Sequence, residues 1–313
     1  MGKTAFIFPG QGAQYVGMGK QIAAQYHEAS DIFDQASEAL GIDMRKMLFE
    51  SDDETLKITE NTQPAIMTAS IACLQPLLAA GIKPDYTAGL SLGEYSAHVA
   101  SETIDFKTAV ALVRKRGKYM QEAVPIGDGT MAAIIGLSSE DVEDCCERAS
   151  IAGIVEPANY NCPGQITIAG EVKAVEKAME LCLGKGAKRA IQLAVSAPFH
   201  CSMLRPAGEL LAMELRSVDF SEFKTPLVAN VSGNVVKSSA DIKESLINQV
   251  SSPVLWEASV RFMLEQGVDT FVEIGPGKVL SGFVKKISKD ARTLNIEDIE
   301  SLQKTIGELK NQG

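Results

Sequence analysis

The chain is short of the residues on which several kinds of chemistry depend. Its 313 residues include three histidines, one tryptophan and six cysteines. Cys73, Cys145, Cys146, Cys162, Cys182 and Cys201 contain no CxxC pair, and three histidines are too few to complete the usual zinc ligand sets, so no metal site is expected. Thiols without a disulfide pattern fit a reducing compartment. No apolar run approaches the roughly 18 residues that cross a bilayer. The N-terminal MGKTAFIFPG is too short an apolar stretch for a secretory leader, and Phe6 stands where myristoylation needs Ser or Thr. A cytoplasmic protein without a membrane partner is expected. Positive charge is scarce as well: 30 Lys and Arg against 40 Asp and Glu leave a net charge of −10, which argues against nucleic-acid binding.

Apolar residues are plentiful at 45%, enough for a large core with a smaller unit attached. Strand-like and helix-like runs alternate, which predicts an α/β fold with a mainly parallel sheet. Residues 4–8, 86–90 and 271–274 read as strands, and 62–80 and 105–123 as helices. The middle differs. A strand at 131–136, a helix at 139–149, a hairpin of 154–159 with 165–169, a helix at 171–183 and a strand at 189–193 give the order β-α-β-β-α-β, a ferredoxin-like pattern. Residues 127–196 are therefore expected to form a small subdomain inserted into a large catalytic one made of 1–126 and 197–313. The loop PGQGAQ after the first strand is not a nucleotide site: Tyr15 stands where a third glycine is needed, and no GK[ST] follows Gly17.

Gly89-Leu90-Ser91-Leu92-Gly93 is a GxSxG pentapeptide between a strand-like segment and the helix-like EYSAHVAS. A glycine-bordered turn with an incidental serine would look the same, but the strand-turn-helix context favours a nucleophile elbow. A serine hydroxyl needs a neighbour to take its proton. His27, in QYHEAS, reads as a solvated helix face. His98 lies seven residues beyond Ser91 on the same expected helix, roughly 10 Å along it and out of reach. His200, in SAPFH, is the remaining candidate, approached through Pro198, which favours an extended chain.

GQGAQ, GLSLGEYSA, RG with a later Met, SAPFH and EIGPGKVL, in this order from about residue 4 to residue 290, resemble the malonyl-CoA–acyl carrier protein transacylase family. The resemblance implies an α/β-hydrolase-like large subdomain with a ferredoxin-like insert. It also implies ping-pong transfer of malonyl from malonyl-CoA to the pantetheine thiol of acyl carrier protein, with no cofactor besides these substrates, by a monomer. It casts Ser91 as nucleophile and His200 as general base and acid. Gln11 and Leu92 would supply oxyanion-hole N–H groups. Arg116 would anchor the malonyl carboxylate, and the main-chain carbonyl of Gln249 would steady the histidine. Phe199 would favour malonyl over bulkier acyl groups. Asn159 and Gln165 match a family segment bordering the cleft. One departure stands out: Leu90 occupies a position where the family often has histidine.

A malonyl carboxylate calls for a two-pronged cation, which lysine cannot copy. Arg114 and Arg116, two apart on one helix, face different sides, so only one can line a pocket. No carboxylate has a clear claim to stand behind His200, and Glu273 is a candidate by position only. An acidic carrier would require local positive charge, for which Lys185, Lys188 and Arg189, or Lys285, Lys286 and Lys289, are candidates. An extender-unit acyltransferase of a polyketide or polyunsaturated fatty acid pathway, and a serine esterase or thioesterase, share the same nucleophile.

Overall fold

The computed structural model describes residues 2–195 and 197–311; Ser196, where the inserted unit was expected to end, lies outside the described residues. Among the described residues nine strands form two sheets. The large one comprises β1 (Lys3–Phe8), β2 (Tyr86–Gly89), β7 (Leu227–Val228), β8 (Val268–Ile274) and β9 (Arg292–Ile296). It is parallel throughout, in the order β7-β2-β1-β8-β9. Ala5 to Phe8 are fully buried as an unbroken apolar run. A central parallel strand reads this way because helices cover both faces: Phe6 and Phe8 pack into one core cluster, Ala5 and Ile7 into the other.

The smaller sheet comprises β3 (Gly129–Ile135), β4 (Val155–Cys162), β5 (Gln165–Glu171) and β6 (Arg189–Gln192), antiparallel in the order β4-β5-β3-β6. Helices Ser139–Ala149 and Val172–Gly184 close a third apolar cluster against it. This is the ferredoxin-like order. The unit is stitched to the large sheet's side by two backbone bonds: Tyr160 N–H donates to the Val254 carbonyl at 2.9 Å, and Val254 N–H to that of Ala158 at 2.9 Å.

Element ends shift where a distant partner decides them. The helix expected at 62–80 spans Thr59–Ala79, because the Gln121 side chain accepts from the Thr59 N–H at 2.9 Å and caps the earlier start. Strand β8 begins at Val268, three residues before the expected 271, because Lys3 of β1 pairs there.

From β1 the chain passes to β2 on one side, and much later β8 pairs on the other. Such a reversal opens a crevice at the carboxyl ends of the strands. The loop after β1 holds Gln11 and the loop after β2 holds Ser91, so both face that crevice. A third wall comes from helix Phe106–Glu122, whose first turn is capped by Asp105 accepting from Thr108 N–H at 3.0 Å. It packs on helix Thr59–Ala79 at Gly117, where a Cβ would lie 2.6 Å from the Thr59 carbonyl oxygen. Gly117→Ala is expected to force these helices apart at a cost of about 1–3 kcal/mol. Urea unfolding should show a lower midpoint with an unchanged slope; an unchanged midpoint would refute the close contact.

Candidate active site

The elbow is held by two glycines for steric reasons. A Cβ on Gly89 would sit 1.9 Å from the Gly93 carbonyl carbon, and one on Gly93 would sit 2.1 Å from the Phe8 carbonyl oxygen. Ser91 adopts a left-handed φ of 53°, a strained conformation for a residue with a side chain. Asn230, in the loop after β7, clamps it. Its Oδ1 accepts from Ser91 N–H at 2.6 Å, and its Nδ2 donates to the Gly89 carbonyl at 2.6 Å.

His200 is buried, also with a left-handed φ of 61°. Its Nε2 lies 2.6 Å from Ser91 Oγ and its Nδ1 lies 2.8 Å from the main-chain carbonyl oxygen of Gln249. A carbonyl only accepts, so Nδ1 carries the proton and Nε2 of the neutral ring is free to take the serine's. Burial, and after it the Arg116 charge, push the imidazole down to about 4, so the ring is neutral over the ordinary pH range. Glu273 does not stand behind it. The Glu273 carboxylate instead caps helix Val279–Ile287, accepting from Leu280 N–H at 3.1 Å and Ser281 N–H at 2.7 Å. The other two histidines are elsewhere engaged: His98 is buried with Nδ1 2.8 Å from Thr103 Oγ1, and His27 pairs with Asp31 on the surface.

Arg116 is 1% exposed, yet it joins no ion pair among the described residues. Its Nη1 donates to Gln63 Oε1 at 2.8 Å, and its Nη2 to Gln249 Oε1 at 2.9 Å and Ser91 Oγ at 3.1 Å. Tyr95 offers its ring face 5.3 Å from the guanidinium carbon, while Arg116 Nε has no partner. Arg114 turns the other way, bonding Glu60 at 3.2 Å and the Leu40 carbonyl at 3.2 Å. That answers which arginine lines the pocket.

A cavity of about 420 Å³ collects these groups. Gln11, Leu92, Arg116, Asn159, Phe199, His200 and Ser91 all line it, as does Leu90. The backbone N–H groups of Gln11 and Leu92 donate to no acceptor among the described residues. Gln249 is fully buried behind the cavity and meets its lining through His200, Arg116 and the Ser91 carbonyl. Gln165 lies outside the cavity, its Oε1 accepting from Lys286 at 2.9 Å. Lys185 is held by Asp141 and Asp144, each at 2.9 Å.

The site thus brings a serine hydroxyl bonded to an imidazole beside a buried guanidinium that pairs with no anion among the described residues. Residues 5–312 match the acyl transferase domain family. A malonyl CoA-acyl carrier protein transacylase of Bacillus subtilis is 48% identical over 313 residues, covering 100% of this chain and 99% of that one. The chain belongs to the malonyl CoA-acyl carrier protein transacylase family. A crystal structure of the transacylase from Clostridium perfringens is 50% identical, covers 99% of this chain and 98% of that one, and superposes with a TM-score of 0.96. A malonyl-transacylase in complex with its type II PKS acyl-carrier protein is 42% identical, covers 98% and 99% of the two chains, and gives a TM-score of 0.96.

Three residues of this transacylase site escaped the sequence reading. Gln63 carried a signal, as the one amide in the mostly apolar QPAIMTASIA. Glu94 did too, as a charge directly after the elbow. Asn230, in VANVSGN, carried none. A short pulse of diisopropyl fluorophosphate should label Ser91 at a rate that stays flat from neutral pH down to about 5 and falls only as the shielded imidazole takes a proton near 4. A fall centred near the ordinary histidine value of 6.5 would show that His200 is not shielded.

Proposed function

We infer that the chain moves a malonyl group from malonyl-CoA to the phosphopantetheine thiol of acyl carrier protein through an ester on Ser91. The observation that carries this reading is the fully buried Arg116, which has no ion-pair partner among the described residues and sits 3.1 Å from the Ser91 hydroxyl. Leaving a charge buried without a counter-charge is costly unless a ligand supplies one. A carboxylate one methylene away from the carbonyl under attack would land on that guanidinium. A simple esterase needs no such cation.

The steps follow from the geometry. His200 Nε2 takes the Ser91 proton as Oγ attacks the thioester carbonyl. The negative charge that develops on the carbonyl oxygen falls to the free N–H groups of Gln11 and Leu92, a contribution worth about 3–4 kcal/mol per donor in comparable sites. The imidazolium returns its proton to the departing CoA thiolate. In the second half-reaction the same ring takes the proton of the carrier's thiol, which attacks the ester, and returns it to the departing Ser91 oxygen, restoring the hydroxyl and the neutral imidazole. A neutral carbonyl behind Nδ1 holds the ring in place, and the acidity of a thiol lowers the demand on a weak base. Phe199, next to the base His200 in the chain, lines the cavity and would limit the size of the acyl group, and Asn159 borders the same cavity.

The reading includes a large subdomain of 1–126 and 197–313 with 127–196 inserted, supported by the separate antiparallel sheet. It also includes a cytoplasmic location, supported by six buried, unpaired thiols. No helix among the described residues is long and apolar enough to cross a membrane.

Intact-protein mass spectrometry after exposure to malonyl-CoA should reveal a malonyl adduct that Ser91→Ala abolishes; free malonate without an adduct would favour hydrolysis. Arg116→Ala should lower kcat/KM for malonyl-CoA by roughly 10²-fold or more, in line with the 2–5 kcal/mol lost when one partner of a buried charge pair is truncated. Acetyl-CoA should be affected far less, and equal losses would remove the arginine from substrate recognition. Lys285 and Lys286 ride on the helix whose Val279, Leu280 and Phe283 edge the cavity. Reversing both charges should raise KM for the acidic carrier several-fold and leave that for malonyl-CoA in place.

A further inference from the structure

Directly beneath the elbow lies a carboxylate that the transfer steps do not use. Glu94, in the first turn of helix Gly93–Ala100, is 0% exposed. One oxygen, Oε2, accepts from Gln249 Nε2 at 2.8 Å and from Asn230 N–H at 3.0 Å. The other, Oε1, is buried with no partner among the described residues. Both donors hold the nucleophile. Asn230 clamps the peptide on either side of Leu90, and Gln249 Nε2 also donates to the Ser91 carbonyl at 3.0 Å. The same Gln249 offers its side-chain oxygen to Arg116 and its main-chain oxygen to His200. One carboxylate thus sets the position of the residue that touches nucleophile, base and carboxylate anchor together.

Its charge has a second consequence. The charged or titratable groups around Glu94 are Arg116 on helix Phe106–Glu122, Tyr95 beside it on its own helix, and, across Gln249, His200; Gln249 and Asn230 are neutral. Arg116 is beyond ion-pair distance of Glu94 but feels its field. We propose that Glu94 is a positioning residue for malonyl transfer, locking Gln249 and Asn230 under the elbow, and that as the anion resident near Arg116 it competes electrostatically with the incoming malonyl carboxylate. This rests on the functional reading above. Burial raises the Glu94 carboxyl to about 7, opposed by the hydrogen bonds from Gln249 and Asn230 and, after these, by Arg116. Below that pH the carboxyl is neutral and the guanidinium is left wholly to the substrate. Above it, two anions share one cation. KM for malonyl-CoA should therefore rise as pH passes upward through 7, while KM for acetyl-CoA, which carries no acyl carboxylate, should not follow.

Two variants separate the roles. Glu94→Gln keeps an oxygen acceptor and removes the charge; Glu94→Ala removes both. Steady-state kinetics with malonyl-CoA and acetyl-CoA across pH 6–8.5, normalised to the Ser91 sites that acylate and checked by near-ultraviolet circular dichroism, provide the test. Glu94→Ala should lose roughly 10²-fold in kcat with both substrates, as expected for a displaced nucleophile. Glu94→Gln should retain kcat within about tenfold and bind malonyl-CoA with a KM that no longer depends on pH. A folded Glu94→Ala with wild-type kcat, or a Glu94→Gln that keeps the wild-type pH dependence of the malonyl KM, overturns the proposal. If Glu94→Ala does not fold, Glu94→Gln alone decides. Failure of the wild-type protein to take malonyl on Ser91 would instead overturn the functional reading itself.

Discussion

A guanidinium taken out of water with no carboxylate bound to it is an expensive object, and the site is organised around holding one. Gln63 and Gln249 satisfy Arg116 with neutral oxygens, and the Tyr95 ring lies against its face. These contacts keep the side chain ordered without neutralising it, so its charge remains available to a ligand. Gly117 makes the placement feasible. By letting the helix carrying Arg116 press onto the helix carrying Gln63, it brings the charged end within reach of Ser91.

The same constraint explains why His200 is backed by a peptide carbonyl and not by an acid. A carboxylate at Nδ1 would add an anion beside an imidazole that already feels the Arg116 charge, and would compete with the substrate's acid for that charge. A neutral acceptor fixes ring orientation and tautomer without adding an anion. The consequence is a weak base, depressed by burial and by the arginine. The imidazolium of so weak a base is correspondingly acidic, which suits returning a proton to the departing Ser91 oxygen, while the thiols are acidic enough to ask little of the base. The carboxylate of Glu94, which lies nearby, is set beneath the elbow, and burial raises its pKa to about 7.

Backbone strain is spent at the same place. Ser91 and His200 both hold left-handed φ values, and each is tied down by bonds from segments far away in the chain. Strain of this kind survives only where the surroundings over-determine the conformation. Asn230 does so for the serine through its bonds on both sides of Leu90, and the Gln249 carbonyl does so for the histidine.

Much of this could be read in one dimension. The elbow is local: strand, glycine, serine, glycine and helix must be contiguous, so GLSLGE announces it. The alternation of elements and the β-α-β-β-α-β order of the middle section likewise depend only on neighbours along the chain, which is why fold class and insert were legible. His200 emerged by scarcity, there being few histidines to choose from. Element ends were legible only to within a few residues, because partners such as Gln121 at Thr59 and Lys3 at Val268 arrive from afar.

What the sequence determined by itself was therefore the fold class, the nucleophile and a short list of partners for it. That Arg116 faces inward and that the Gln249 carbonyl supports the imidazole could be named from the sequence only through the family resemblance; the physical reasons, helix packing at Gly117 and the placement of residue 249, lie in the tertiary structure. That Glu273 caps a helix, and that Asn230 and Glu94 meet beneath Ser91, are likewise facts of three dimensions. Burial, charge and hydrogen bonding act through space, and residues 94, 116, 200, 230 and 249 become neighbours only when the sheet and its covering helices have closed around them.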